Sequence, residues 1–259
     1  MKRVQVHVLQ WDLFWEDPLK NRKKAEALIE RIQGEKQVVL LPETFTTGFS
    51  VKSLHLAEAP DGETIQWMRT ISAKYRIILA GSLLVHENGM YNNRLIWMQP
   101  DGHYVSYNKR HLFSYGGEGE VYHNGSERVI VQVNGLQICV NICYDLRFPV
   151  WSRQQKSDEY DALLYVANWP WKRNHAWETL LQARAIENQC YVLGVNRCGT
   201  DGTGIEYGGN SMVVDPLGQI LHRLGPEEGV LSASLDKSVT EKCRNLFPFQ
   251  RDKDAFQLM

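Results

Sequence analysis

The stretch of sequence that decides the fold is VNICYDLRFP, residues 140–149. The segment that leads into it, residues 136–142, is rich in β-branched side chains, carries no charge and follows an Asn-Gly turn, which predicts a buried strand. After Cys143 the pattern becomes polar and aromatic, so Cys143 lies where a strand ends and the chain bends away. A side chain at such a point is held rigidly and can reach a cleft. Because a free cysteine is most often a small buried hydrophobe, the rest of the chain has to decide its role.

Apolar strands alternate with amphipathic helices on both sides of this stretch. Upstream, the pattern predicts strand, helix, strand, helix and strand at 4–10, 17–34, 37–43, 63–75 and 76–85. Two turns, Asn88-Gly89 and Asp101-Gly102, then predict an antiparallel ribbon, followed by strands at 128–133 and 136–142. Downstream, the pattern predicts a strand, a helix, a strand, a hairpin and a last strand at 161–167, 175–189, 190–196, 211–224 and 229–235. This alternation is typical of a layered α/β domain.

The bulk composition narrows the class of protein. The chain has 259 residues, of which 43% are hydrophobic, and no internal repeat or linker, so a single domain over 1–259 is expected. A net charge of −1, from 29 basic and 30 acidic residues, argues against nucleic acid as a partner. No apolar run approaches the ~20 residues that span a bilayer, and the N-terminus lacks a signal-peptide pattern, so no membrane partner is expected. Five cysteines without a C-x-x-C pair favour a reducing cytoplasm.

Three predicted strands each end in a group that can take part in acyl transfer. Glu43 follows the apolar segment Leu40-Leu41-Pro42, where burial would raise its pKa toward that of a useful base. Lys109 follows an aromatic-rich strand, and Cys143 supplies a thiol. A free thiol titrates near pH 8.5, so it needs a carboxylate that takes its proton or a nearby ammonium that favours the thiolate.

The chain resembles the nitrilase superfamily of carbon-nitrogen hydrolases over about residues 4–235. The resemblance depends on LPE at 41–43, KRHLF at 109–113 and CYDLRFP at 143–149, in the order of the family, with support from ANWP at 167–170 and ARAIEN at 183–188. Three longer segments are similar to the omega-amidase branch in its bacterial form: LPETFTTGF at 41–49, RFPVWSR at 147–153 and YVANWP at 165–170.

This resemblance implies a four-layer α-β-β-α sandwich and a homodimer, with the aromatic tail at 245–259 packing at the interface. It also implies the roles of the catalytic residues: Cys143 as the nucleophile, Glu43 as the general base and acid, and Lys109 as the cation that stabilises the oxyanion. Glu118, in the Gly-rich loop, takes the place of a second glutamate, and its spacing to Cys143 favours it over Glu120. No metal or organic cofactor is required.

Other residues have weaker signals. Tyr144 is expected to act through its backbone N–H. Four further residues are candidates for lining the substrate pocket: Asn168, Trp169, Phe49 and Tyr115, with Trp171 as a weaker one. Arg147 can bind a substrate carboxylate or form a structural ion pair with Asp145 or another buried acid. His111 can pair with Cys143 as in thiol proteases, which is the main rival chemistry, and the scattered histidines argue against a zinc site.

The expected substrate is a small linear amide that bears an α-keto acid, such as 2-oxoglutaramate or 2-oxosuccinamate, which is hydrolysed through a cysteine thioester. One alternative is another hydrolase of the same fold that acts on a nitrile, a carbamoyl group or a different amide, because the three catalytic residues serve all of these reactions. An alternative of another class is a non-catalytic binding module.

Overall fold

A computed structural model of the chain describes residues 2–34, 37–155 and 158–258. Met1 and Met259, the ends of the predicted domain and tail, lie outside the described residues. The described strands are β1 Arg3–Gln10, β2 Val38–Leu40, β3 Ile78–Glu87, β4 Met90–Met98, β5 Tyr104–Asn108, β6 Val129–Val133, β7 Leu136–Ile142, β8 Ala162–Ala167, β9 Tyr191–Asn196, β10 Cys198–Thr200, β11 Glu206–Gly208, β12 Met212–Val214, β13 Ile220–Arg223 and β14 Gly229–Asp236. The described α-helices are α1 Pro18–Glu30, α2 Glu63–Tyr75, α3 Glu118–Val121, α4 Pro149–Ser152, α5 Asn174–Asn188 and α6 Lys237–Leu246.

Two mixed six-stranded sheets form the centre of the molecule. The first sheet has the order β14-β1-β2-β3-β4-β5, and the second has the order β13-β12-β9-β8-β7-β6. Within the first sheet β1, β2 and β3 are parallel, and β7, β8 and β9 are parallel within the second. Both predicted turns close hairpins, β3 with β4 and β4 with β5.

Four layers follow from where the apolar side chains of each sheet point. Because successive strand residues face opposite sides, Val38 and Leu40 join a core between the two sheets, whereas Val39 joins a core beneath α1 and α2. The outer face of the second sheet packs against α5 in a third core. The predicted α-β-β-α sandwich is therefore confirmed. Within the described residues, no helix is long and apolar enough to cross a bilayer.

Capping residues explain where two of the helices begin. Asp17 accepts a hydrogen bond from the N–H of Lys20 at 3.0 Å, and a proline opens α1, as the sequence predicts. Asp236 caps α6 in the same way through the N–H of Ser238 at 2.9 Å. The sequence analysis did not predict α6, because the strong alternation of β14 leads directly into its cap.

The aromatic tail partly docks on the protein. Gln250 donates to the carbonyl of Glu187 at 2.7 Å, at the end of α5, and Leu258 packs against the core between the sheets. By contrast, Leu246 and Phe247 remain 87% and 67% exposed. The location of the tail at a dimer interface stays a prediction.

Candidate active site

The predicted reactive residues come from both sheets and meet where strands end. Glu43 follows β2 and Lys109 follows β5 in the first sheet, whereas Cys143 follows β7 in the second. The turn that carries Glu43 lies directly on β3: a Cβ at Gly81 would come within 2.8 Å of Leu41, so only glycine allows this approach. Strand pairing fixes Glu43 and Lys109 within one sheet, but the position of Cys143 depends on contacts between the sheets.

A buried ion cluster forms the floor of the site. The Nζ of Lys109 lies 2.9 Å from Glu43 Oε1, and 2.8 Å and 3.1 Å from the two carboxylate oxygens of Glu118. All three side chains are fully buried. Glu118 also accepts from the N–H of Phe113 at 2.6 Å, whereas Glu120 is exposed. Of the two candidate glutamates, the structure brings Glu118 to the cluster.

The neighbouring charges and burial shift the pKa values of Lys109 and Glu118. Burial alone would lower the pKa of Lys109, but the carboxylates of Glu118 and Glu43 outweigh this effect and raise it well above its ordinary range. The lysine is therefore an ammonium at any physiological pH. Burial raises the pKa of Glu118, Lys109 opposes that shift, and the charge of Glu43 adds to it. Two acids around one cation leave the cluster with a formal charge of −1.

Cys143 sits on a strained turn at the edge of this cluster. Its φ of 44° lies in the left-handed region, which β-carbon-bearing residues seldom adopt and which is enriched at active sites. Burial and the neighbouring Glu43 carboxylate raise the pKa of the Cys143 thiol well above its ordinary value, although Lys109 opposes the shift, and the thiol hydrogen-bonds to Glu43. The resting group is therefore a thiol in contact with a carboxylate.

Two asparagines fix the Glu43 carboxylate. Asn168, at the end of β8, donates its backbone N–H to Glu43 Oε2 at 2.8 Å and its side-chain amide to the carbonyl of Glu43 at 2.8 Å. Asn93, in β4, donates to Glu43 Oε1 at 2.8 Å and to Glu118 at 3.3 Å. The sequence analysis placed Asn168 near the cleft but missed Asn93, whose position inside a strand gives no signal of its own.

The rival pairing of His111 with Cys143 is not what the structure shows. The Nδ1 of His111 lies 2.8 Å from Asp145 Oδ1, and its ring stacks on Phe148 with centroids 3.8 Å apart. No hydrogen bond between His111 and Cys143 is present in the described ranges. The suggested ion pair of Arg147 with Asp145 is also absent there, since Arg147 stacks on the ring of Trp169 at 4.8 Å.

A cavity of about 470 Å³ opens over the cluster. Its lining includes all the predicted pocket residues apart from Trp171, namely Phe49, Tyr115, Tyr144, Asn168 and Trp169, together with Glu43, Lys109 and Cys143. Tyr115 is 89% exposed and stands at the rim. The half-exposed Trp171 instead covers Gly208, where an added Cβ would come within 2.1 Å of its ring.

Sequence reasoning missed several residues that line the cavity: Trp15, Glu16, Arg173, Thr203, Ile205 and Tyr207. Arg173 lies over the ring of Phe113, 5.3 Å from its centroid. Neither Arg147 nor Arg173 forms an ion pair within the described ranges. No cluster of three metal-ligating side chains occurs among the described residues.

Comparison with known proteins identifies the class to which this fold and site belong. A solved structure from Xanthomonas campestris, a CN-hydrolase superfamily protein with an arsenic adduct in its active site, superposes with a TM-score of 0.97 at 41% identity over 100% of both chains. The model of the carbon-nitrogen hydrolase family matches residues 4–245.

The chain therefore belongs to the carbon-nitrogen hydrolase family. Among curated relatives, the omega-amidase YafV of Yersinia enterocolitica is 42% identical over 100% of both chains. The 2-oxoglutaramate amidase of Bacillus subtilis (strain 168) is 35% identical over 97% of this chain and 98% of that protein. The resemblance to the omega-amidase branch is confirmed by these relatives.

Proposed function

We propose that this protein is an omega-amidase, which hydrolyses the terminal amide of small α-keto acids such as 2-oxosuccinamate and 2-oxoglutaramate to the acid and ammonia. The names of the relatives support this activity. The observation that carries the chemistry is the buried contact of Glu43 with Lys109 and with the Cys143 thiol, at the floor of a cavity large enough for a small substrate.

The first step is attack of Cys143 on the amide carbon. The thiol proton moves to Glu43 as the sulfur–carbon bond forms, so a free thiolate is never needed, and the high pKa of the resting thiol is no obstacle. The oxyanion donors are Lys109 and the N–H of Tyr144; Lys109 exchanges the longest of its three hydrogen bonds, the one of 3.1 Å to Glu118 Oε1, for the oxyanion. Losing one such donor typically costs ~3 kcal/mol of transition-state stabilisation.

The second half of the reaction uses the same carboxylate in reverse. Glu43 returns its proton to the departing nitrogen, ammonia leaves, and a thioester on Cys143 remains. Glu43 then takes a proton from a water that attacks the thioester, and the thiol and acid are released. In this scheme Glu118 does not react: its two oxygens hold the Lys109 ammonium in place.

Arg147 and Arg173 line the cavity and form no ion pair within the described ranges, which explains why the substrate carries a carboxylate. The cluster has a formal charge of −1, so an anionic substrate places its neutral amide toward Cys143 and its carboxylate away from it. Arg147 ends the 3₁₀ turn that Cys143 begins, so their Cα atoms are ~8 Å apart. The carboxyl and amide carbons of 2-oxosuccinamate are ~4 Å apart across three C–C bonds, which leaves room for the guanidinium of Arg147 or Arg173 to bind the carboxylate.

A substrate panel tests this assignment. We expect turnover of 2-oxosuccinamate and 2-oxoglutaramate to exceed that of a nitrile, a carbamoyl amino acid and the uncharged amide butyramide. Arg147→Gln and Arg173→Gln should raise KM for the oxo acids with little effect on butyramide, whereas the exposed Arg223→Gln serves as the matched control. A preference for nitriles or carbamoyl compounds would contradict the substrate assignment.

We further propose that the enzyme works as a homodimer in the reducing cytoplasm. All five cysteines are free, which fits a reducing compartment. Exposed apolar residues near the tail, Ile186, Leu246 and Phe247, offer a surface for a second copy. Light scattering on wild type and Phe247→Glu tests the dimer: we expect a dimer that the substitution weakens, and a wild-type monomer would contradict it.

A further inference from the structure

The reacting groups lie on different sheets, and this raises the question of what holds them in register. Glu43 and Lys109 leave the first sheet, whereas Cys143 leaves the second. Backbone hydrogen bonds within a sheet fix neighbouring strands, but they do not fix one stacked sheet against another. A displacement of ~1 Å between reacting groups can cost ~10²-fold in rate. The site therefore needs direct links between the two sheets.

One buried carboxylate, that of Asp145, makes four contacts at once, and three of them link the two sheets. Its Oδ2 accepts from the backbone N–H of Ile142 at 2.9 Å and from the hydroxyl of Tyr107 at 2.7 Å. Its Oδ1 accepts from the backbone N–H of His111 at 2.9 Å and lies 2.8 Å from the ring Nδ1 of the same residue. The side chain is completely buried.

These contacts join the two strand ends that carry Lys109 and Cys143. Ile142 directly precedes Cys143, whereas Tyr107 and His111 flank Lys109. Two of the four partners are backbone N–H groups, whose positions are fixed, so the carboxylate has a single position in which it satisfies them together with the two side chains. A carboxylate that accepts several hydrogen bonds in a dry environment is strongly bound, and loss of one partner leaves the others unsatisfied.

Neighbouring groups also hold the two partners of Asp145, Tyr107 and His111, in place. The Tyr107 hydroxyl also accepts from the backbone N–H of Arg110 and from the indole of Trp151, each at 3.1 Å. The His111 ring is held by stacking on Phe148, which follows Asp145 on the second sheet's side. None of these groups reaches the reacting atoms, so their effect acts through the position of the turn.

We propose that Asp145 is a positioning residue that clamps the strained Cys143 turn onto the Lys109 segment and so keeps the thiol against Glu43. It neither donates a proton to the substrate nor contacts it. Because the turn places a β-carbon-bearing residue at positive φ, it relaxes toward an ordinary backbone conformation when the clamp is removed. This inference rests on the proposed thiol chemistry, and it assigns the position of the Cys143 turn to one side chain.

The test compares Asp145→Asn with Asp161→Asn. Asp161 is a matched control, because it is 4% exposed and its carboxylate accepts from the N–H of Gln137 and from Lys237, each at 3.0 Å, at the beginning of β8 and away from the site. Two quantities are measured: kcat and KM for 2-oxosuccinamate, and the pH profile of Cys143 alkylation by iodoacetamide, located by peptide mass spectrometry. Tyr107→Phe, which removes one of the four contacts, serves as a milder variant if Asp145→Asn does not fold.

We expect Asp145→Asn to lower kcat by ~10²-fold with a small change in KM, and Tyr107→Phe to lower it less. The alkylation profile should move to lower pH, toward that of a free cysteine, because the thiol leaves its buried position beside Glu43. Wild-type kcat in both variants, an unshifted alkylation profile, or an equal loss in Asp161→Asn would overturn the proposal. The alkylation profile needs no amide substrate, so it tests the clamp even if the substrate assignment fails.

Discussion

Lys109→Met is the most informative perturbation of the buried cluster, because it removes the only positive charge there among the described residues and keeps most of the side-chain volume. In the native protein the ammonium makes three contacts of 2.8 to 3.1 Å with Glu43 and Glu118, and water reaches none of these side chains. Removing one partner from a buried ion pair costs ~3–5 kcal/mol. Set against a typical total stability of ~5–15 kcal/mol, the loss is large and easily measured.

The stability lost in Lys109→Met should depend on pH. The direction of this dependence follows from the carboxylates that are left without a cation. Without the ammonium, the pKa of Glu118 in the folded variant, which burial and the charge of Glu43 already raise, rises further above the unfolded value of ~4.3. The native state then binds more protons than the unfolded state between these pKa values, so stability falls as pH rises through that window. Each additional native proton contributes ~1.4 kcal/mol per pH unit.

The assay is urea unfolding followed by circular dichroism at fixed protein concentration, at about pH 7.5 and pH 5.5. Lys24→Met is the control, since Lys24 pairs with Glu228 on the surface, where both side chains are partly exposed and such pairs contribute ~0–1 kcal/mol. We expect Lys109→Met to lose several kcal/mol at the higher pH and less at the lower pH. A loss below ~1 kcal/mol, or an equal loss at both pH values, would refute the description of the cluster as two ionised acids around one ammonium.

Three further predictions concern individual contacts. Asn168→Ala removes the side-chain hydrogen bonds to the Glu43 carbonyl and to Thr44 but keeps the backbone hydrogen bond to the Glu43 carboxylate. We therefore expect the free energy of unfolding in urea to fall by ~1–3 kcal/mol and kcat to fall as well. An unchanged kcat would show that Glu43 is held without this side chain. Glu118→Gln should lower kcat at least tenfold, about 1.4 kcal/mol, because Lys109 loses a charged partner. The exposed Glu120→Gln is the control and should leave kcat unchanged. Equal effects of the two substitutions would argue against the pairing of Glu118 with Lys109. Alkylation of wild-type Cys143 by iodoacetamide should keep accelerating above pH 8.5, the ordinary pKa of a cysteine, because burial and Glu43 raise the pKa of this thiol; a plateau below that pH would contradict the resting thiol.

The positions of the principal site residues could be predicted from the sequence because local signals mark them. Apolar runs end at Glu43, Lys109 and Cys143, and a strand end is visible in the period and composition of the preceding residues. The order of the three motifs then identified the fold and implied the family. Glu118 was preferred over Glu120 on spacing alone, and the structure places it in the cluster by burial.

Contacts between distant parts of the chain could not be predicted in this way. Asn93 meets Glu43 across 50 residues of sequence within the first sheet, and Asn168 meets it across 125 residues because the two sheets stack. Asp145 was considered as a partner for Arg147, its near neighbour, whereas it bonds His111 and Tyr107 on the opposite sheet. Contacts between sheets leave no periodic pattern in the sequence, so the contacts of Asp145 and the place of Arg173 in the cavity lining were visible only in three dimensions.

Intact-protein mass measurement tests most directly whether the amide bond is broken through a thioester on Cys143. Wild type and Cys143→Ala are mixed with 2-oxosuccinamate and quenched in acid, and the ammonia released is measured in parallel. We predict an acyl adduct on the intact wild-type protein together with ammonia release, and neither in Cys143→Ala. Ammonia release that persists in pure Cys143→Ala would contradict the thiol mechanism.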